Sequence, residues 1–196
     1  MSALVVFAHP LRDSLGRRFA DAAMEALSAA HEVELLDLYA RDFDPRLTAA
    51  ERAAYYDRQH GTASVAEDAA ALLRADVLVF AFPTWWFGPP AILKGWIDRV
   101  FAPGIAFDHG ENYGPIVPRL QRLRHAAAIT TLGTPWWVDR FGMRRPVRRM
   151  LKTAVIGGCA PKASFSYLPF YSAERPEPGR VEAFERLLRD RMAALR

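Results

Sequence analysis

The sequence predicts a three-layer α/β sandwich, with a five-stranded parallel sheet in the order 2-1-3-4-5 and helices on both faces. Three observations carry this prediction. Apolar runs alternate with helical periodicities along all 196 residues, and parallel strands need long right-handed crossovers of the kind a helix supplies. The central run "VLVFAF" at 77–82 is apolar at every position, as a strand covered on both faces must be. With 51% hydrophobic and 24% charged residues, a chain of this length fills one core and is short for two, so residues 1–196 are expected to form a single domain.

The elements follow in order. An apolar run at 3–8 is the first strand, and Ser14 then precedes a helical pattern in which Phe19, Ala22, Ala23, Ala26 and Leu27 share a face. "HEVELLDLY" at 31–39 alternates Val33 and Leu35 with outward acids and reads as the second strand. Thr48 and Glu51 have the spacing at which each side chain satisfies the other's free backbone N–H, so a short helix starts there. A helical stretch at 63–74 leads into "VLVFAF", and helix 90–101 follows, entered through Pro89 and Pro90, where a missing N–H costs little. "APGIAFDHGENYGPIVP" at 102–118 is expected to hold little regular structure. Strand "HAAAITT" (125–131), a basic helix, strand "KASFSYL" (162–168), the turn "ERPEPG" and a last helix with Val181, Phe184, Leu187, Leu188 and Met192 complete the chain.

Charge and composition narrow the function. The net charge of +4 gathers largely in 139–152, where Arg144 and Arg148, Arg145 and Arg149, and Arg148 and Lys152 are four apart, with Val147, Met150, Leu151 and Ala154 on the other side. This reads as the solvated face of an amphipathic helix. No nucleic-acid motif accompanies it, while peripheral association with an anionic membrane surface stays open. No apolar run approaches the ~20 residues of a membrane span, and the N-terminus lacks the pattern of a secretory signal, so a cytoplasmic protein is expected. Cys159 is expected to be a packing residue, and no His/Cys/Asp spacing suggests a metal.

Parallel strands bring the loops that follow the first, third and fourth strands to one edge, where such folds bind ligands. In "AHPLRDSLGR" the amides around Ser14, Leu15 and Gly16 and the positive end of the helix dipole favour an anion, with His9 as an N–H donor and Arg17 or Arg18 adding charge. In "FPTWWFGPP" the aromatics Trp85, Trp86 and Phe87 are consecutive, so no helix or strand period can bury all three on one face. Something flat should cover at least one. In "TTLGTPWW", Thr131, Leu132, Gly133 and Thr134 offer hydroxyls and backbone N–H groups to the rim of a heterocycle. A phosphate seat, an aromatic platform and a polar edge are what a flavin needs.

"VVFAHPLRDS", "DLYARDFDP", "FPTWWFGPPAILKGWIDRVF" and "TTLGT", in that order and spacing, resemble the flavodoxin-like NAD(P)H:quinone oxidoreductases. The resemblance implies a flavodoxin-like fold, a bound flavin, two-electron ping-pong transfer from NAD(P)H to quinones or similar flat acceptors, and a homodimer with sites at the subunit interface. Carried over by position, His9, Ser14, Leu15 and Gly16 match the phosphate loop. Pro83, Thr84, Trp85, Trp86 and Phe87 match the loop along the isoalloxazine, and Thr131, Leu132, Gly133 and Thr134 the loop at its pyrimidine side. The backbone N–H groups of Leu132 and Gly133 are expected to stabilise the reduced ring. Trp86, with Phe107, His109 and Tyr113 from the 102–118 excursion, is expected to shape the substrate pocket. Mammalian members have Asn where Gly16 stands and Gly where Leu132 stands. They also carry a Tyr and a His beyond that loop, where this chain reads "TPWWVDRFGM", so no catalytic residue is assigned. The stretch from Asp57 to Val65 is short beside the long members of the family it resembles, whose insertion helps hold the adenosine half, and the resemblance therefore implies FMN over FAD. The resemblance also implies an alternative, because some relatives are ancillary subunits of potassium-efflux transporters: a flavin-binding regulatory subunit whose basic helix docks on an acidic surface.

Overall fold

A computed structural model describes residues 1–56, 62–110 and 114–195. In chain order the elements are β1 (Ser2–Phe7), α1 (Leu15–Ser28), β2 (Glu32–Asp37), α2 (Ala49–Ala53), α3 (Ala66–Arg74), β3 (Val77–Pro83), α4 (Ala91–Val100), β4 (Phe107–Asp108), β5 (Val117–Pro118), β6 (His125–Thr131), α5 (Pro146–Arg149), α6 (Gly157–Cys159), β7 (Ser164–Phe170) and α7 (Pro178–Ala193). The five main strands pair in parallel as β2-β1-β3-β6-β7, which is the expected 2-1-3-4-5 order.

Alternation along the strands divides the core in two. Leu4, Val6, Leu78, Phe80, Phe82, Ala126 and Ala128 face α3, α4 and the helical segment 146–159. Ala3, Val5, Phe7, Val77, Val79, Ala81, Ala127 and Ile129 face α1 and α7. All seven residues of β3 are buried, and each fully buried large apolar side chain contributes about 1.5–3 kcal/mol. That is why the run reads as continuously apolar.

The connection from β2 to α3 is tied to α4 in two ways. Glu51 closes the expected capping box with Thr48 and also accepts from the buried Arg99, Nη2 to Oε1 at 2.6 Å. Burial pushes the Glu51 carboxyl up, but hydrogen bonds from Thr48, Arg99 and Ser64 outweigh it and hold the group at about 2. At Gly95 a Cβ would lie 2.2 Å from the Pro45 carbonyl oxygen, so helix and connection meet backbone to backbone and only glycine fits. Trp96 is core, its Nε1 donating to buried Asp68 at 2.7 Å.

Several expectations are corrected. Pro90 is the N-cap of α4 rather than a residue of its first turn. The 102–118 excursion holds little regular structure among its described residues, as expected, beyond the two-residue antiparallel pair β4–β5. β7 runs on to Phe170 through Pro169, which an edge strand tolerates because the missing N–H has no neighbour to serve. The basic helix begins only at Pro146, because Arg144 and Arg145 are left-handed at φ 57° and 50°. The expected Arg144–Arg148 and Arg145–Arg149 spacings therefore do not lie on one helix. Beyond α5 the helix widens into a π-helical stretch, Met150–Ile156, whose i→i+5 bonding turns Ile156 inward beside Leu151 and leaves Ala154 exposed. Cys159 is buried, and burial pushes its thiol up to about 11.

Candidate functional site

The carboxyl ends of β1, β3 and β6 open onto one edge. A cleft of about 570 Å³ there is lined by His9, Pro83, Thr84, Trp85, Trp86, Thr131, Gly133, Ala173 and Glu174. Three sequence-distant loops thus meet as expected.

His9 is the hinge between the first loop and the aromatics. Its ring stacks on Phe7 at 6.5 Å and lies 6.4 Å from Trp85. Leu11 N–H donates to His9 Nδ1 at 3.0 Å, which requires a lone pair on that nitrogen and leaves the proton on Nε2. Burial lowers the His9 pKa from 6.5. The neutral ring therefore offers one N–H donor toward the edge. Ser14 is the N-cap of α1 and accepts from Arg17 N–H at 3.1 Å, while the N–H groups of Leu15 and Gly16 fall in the first turn, where a helix supplies no acceptor. Gly16 has room for a Cβ at ordinary contact distances of 3.8–4.0 Å, so the protein's own packing does not require glycine there. Arg17 and Arg18 are not available as expected: Arg17 pairs with Asp21 and Asp37, and Arg18 holds Glu185. Ser14 and Leu15 border a second cleft, of about 730 Å³, whose cationic wall is largely neutralised by such pairs.

The platform is a two-residue turn. Trp85 and Gly88 exchange N–H···O bonds of 3.0 and 2.9 Å, and the tip residues Trp86 and Phe87 are both left-handed, at φ 50° and 55°. This is the type I′ pattern that Asn-Gly normally occupies. With bulky residues it costs roughly 1–2 kcal/mol each, and such strain concentrates at functional sites. Trp86 is wholly exposed and Trp85 is 45% exposed, so the turn holds two rings in the open against their own tendency to bury. Thr84 anchors its base, with N–H to the Thr131 carbonyl at 2.8 Å and Oγ1 to Thr130 Oγ1 at 2.7 Å.

The third loop departs from expectation at Leu132. Its N–H donates to the Phe170 carbonyl at 2.9 Å and its side chain is buried, so of the two expected backbone donors only Gly133 lacks a described partner. Thr134 Oγ1 is buried with no partner among the described residues; a ligand edge reaching it would satisfy an otherwise costly group. Two residues of the wall escaped the sequence reading. Ala173 and Glu174 follow the edge strand β7, and a Cβ on Gly133 would come within 2.8 Å of Glu174 Oε1. The signal was present in the topology, because every parallel strand sends its following loop to this edge.

Phe107 and His109 are elsewhere within the chain. Phe107 is buried in the core, edge-on to His109 at 5.5 Å, and His109 lies 6.4 Å from Tyr55. Tyr113, and Asp57 to Gly61 of the stretch used to weigh FMN against FAD, lie outside the described residues.

The Flavodoxin_2 sequence profile, described as a flavodoxin-like fold, matches residues 1–190, and the chain belongs to this family. A ribosyldihydronicotinamide dehydrogenase-like protein, traD, of Penicillium crustosum is 33% identical over 98% of this chain and 80% of its own length. NAD(P)H dehydrogenase (quinone) 1 of Cavia porcellus is 34% identical over 67% of this chain, which spans 54% of that relative. The solved NAD(P)H:quinone oxidoreductase from Methanothermobacter marburgensis superposes with a TM-score of 0.89 at 26% identity, covering 100% of this chain and 99% of that one.

Proposed function

We propose that the chain is a flavin-dependent NAD(P)H:quinone oxidoreductase, moving two electrons from NAD(P)H to quinones or similar flat acceptors. The observation that carries this reading is the cleft in which His9, the Trp85–Trp86 turn and Gly133 converge beside the start of α1. Resemblance to enzymes of that activity at 26–34% identity supports it. The residues fit the group: first-turn amides and Ser14 for a phosphate, exposed tryptophan faces for a planar ring, and the Gly133 N–H and Thr134 Oγ1, without partners among the described residues, for a polar edge. A flavin, when bound, supplies the hydride-accepting and hydride-donating chemistry. The chain's part is to bind and orient. His9 donates from Nε2, Gly133 N–H offers a fixed dipole where negative charge develops, and Trp86 leaves room for nicotinamide and acceptor to stack in turn.

FMN rather than FAD is supported by the second cleft. Beside Ser14 it presents arginine–carboxylate pairs and no aromatic residue on which an adenine would stack. A homodimer, as the family resemblance implies, would carry the 102–118 excursion of one subunit toward its partner's cleft. A cytoplasmic setting, where NAD(P)H is available, completes the reading.

The test is direct. The purified protein, supplied with FMN, should show an absorption band at ~450 nm that bleaches when NADH or NADPH is added without oxygen and returns with a quinone. A protein that takes up neither FMN nor FAD would sink the proposal, and bleaching without quinone turnover would favour the ancillary-subunit alternative.

A further inference from the structure

The loop after β7 folds back over the third loop of the cleft, and the proposed flavin seat makes no use of its Glu174. Ser172 is left-handed at φ 52°. It turns the chain so that Ser172 N–H donates to the Thr134 carbonyl at 3.2 Å and Ala173 N–H to the Leu132 carbonyl at 2.9 Å. These bonds set Glu174 against Gly133, where its Oε1 lies 2.8 Å from the place a Cβ on Gly133 would take. The carboxylate therefore stands in the wall of the cleft beside the Gly133 backbone.

The wall is otherwise without charge. Among the nine lining residues Glu174 is the only Asp, Glu, Lys or Arg, and the Leu11 contact and burial keep the His9 ring neutral. The basic residues that follow Glu174 in the chain are placed elsewhere. Arg175 is outside the lining, while Arg180 Nη2 donates to the Tyr171 carbonyl at 3.0 Å and its guanidinium lies 5.2 Å over the Phe170 ring. The same cleft carries the exposed indoles of Trp85 and Trp86, and the face of an indole attracts cations. Because this chain itself builds the wall, Glu174 belongs to the cleft whether one subunit or two close it.

A carboxylate and aromatic faces in one cleft attract a flat ring of positive charge and repel one of negative charge. We propose that Glu174 is the charge selector of the candidate cleft, favouring flat rings that bear a positive charge and disfavouring those that bear a carboxylate or sulfonate. The consequence for turnover rests on the proposed quinone reduction; the charge preference does not. A dihydronicotinamide that gives up its hydride, one proton and two electrons, to the bound flavin becomes a pyridinium cation, and Glu174 stabilises the positive charge as it develops. The acceptor then takes that hydride and a proton from water to become a hydroquinone. Neutral acceptors meet no repulsion from Glu174, and anionic ones do.

Equilibrium dialysis of the full-length protein at neutral pH, with and without FMN, measures the binding of N-methylquinolinium, quinoline and quinoline-3-carboxylate, flat probes of similar size and different charge. The cation should bind roughly tenfold more tightly than the anion at low salt, with the gap narrowing as salt rises. Glu174→Gln should close most of that gap, and Glu174→Lys should reverse the order. Glu177→Gln, the same charge change outside the lining, should keep the wild-type gap. Equal binding of cation and anion to the wild type, as neutralisation of Glu174 in a dimer would produce, overturns the proposal. So does a gap that survives Glu174→Gln, or binding of none of the three probes. Because the dialysis needs neither flavin nor turnover, a protein that takes up no flavin and keeps the preference refutes the proposed activity alone.

Discussion

Two tryptophan pairs leave adjacent central strands at the same edge of the sheet, and the chain treats them differently. Trp85–Trp86, after β3, sits in a two-residue turn closed by reciprocal backbone bonds, its base fixed by Thr84 to the neighbouring strand. Trp136–Trp137, after β6, enters a π-helical turn, Val138–Gly142, and then two left-handed arginines. The buried Asp139 carboxylate holds that segment, accepting from Tyr171, the residue that follows β7. Composition alone does not distinguish the pairs. Backbone wiring does, turning one into the wall of a cleft and the other into a projecting knob.

The largest expected effect tests the difference in anchoring. Asp139→Ala leaves the Tyr171 hydroxyl without its buried acceptor and Arg145 without its nearest carboxylate, and should cost about 3 kcal/mol in urea unfolding. Asp139→Asn, which can still accept from Tyr171, should cost clearly less. An unchanged midpoint for the alanine variant would mean that the carboxylate is not the anchor.

The turn after β3 should respond with opposite signs in two measurements. Trp86→Gly relieves a left-handed position without removing any packing and should stabilise the flavin-free protein by about 1 kcal/mol, or ~2–4 °C in Tm. The same change should weaken flavin binding or acceptor turnover, because the ring is gone. Trp86→Ala should share the second loss without the first gain; a Tm equal to that of the glycine variant would count against strain.

A smaller effect is expected at Gly133→Ala. The new methyl would press on Glu174 Oε1, the far end of a flexible side chain, so stability should barely change while flavin affinity shifts severalfold. Equal loss in both would make Gly133 a packing residue.

The smallest effect concerns pH. Burial holds the folded-state pKa of His9 below its ordinary 6.5, so the folded protein favours the neutral ring. Its contribution to stability is present in full above pH 6.5 and is lost as pH falls through the folded value. An NMR titration of His9 with a midpoint at or above 6.5 would contradict this assignment.

The contrast between the pairs also marks where sequence reading stops. The strands themselves, the capped start of α1 at Ser14 and the Thr48–Glu51 box were legible because side-chain period and capping spacing are local properties. The convergence of three loops was legible because parallel topology leaves no other arrangement. Leu132 was misread because nothing local reveals that its N–H is committed to Phe170 across the sheet. Arg17 and Arg18 were misread because their partners Asp37 and Glu185 are distant in sequence. The π-helical stretch at 150–156 was invisible because its i→i+5 register makes an apolar pattern that α-helical periodicity fits almost as well.

That stretch also bears on how the chain tolerates changes of length. A π-helical turn holds one residue more than the α-helical turn it replaces, so removing one residue between Met150 and Ile156 can close the helix while keeping both flanks in phase. A deletion scan should therefore find a tolerated position there, with soluble expression retained. A single deletion inside α1, which has no such slack, should rotate Phe19, Ala23 or Leu27 off the sheet and abolish folding.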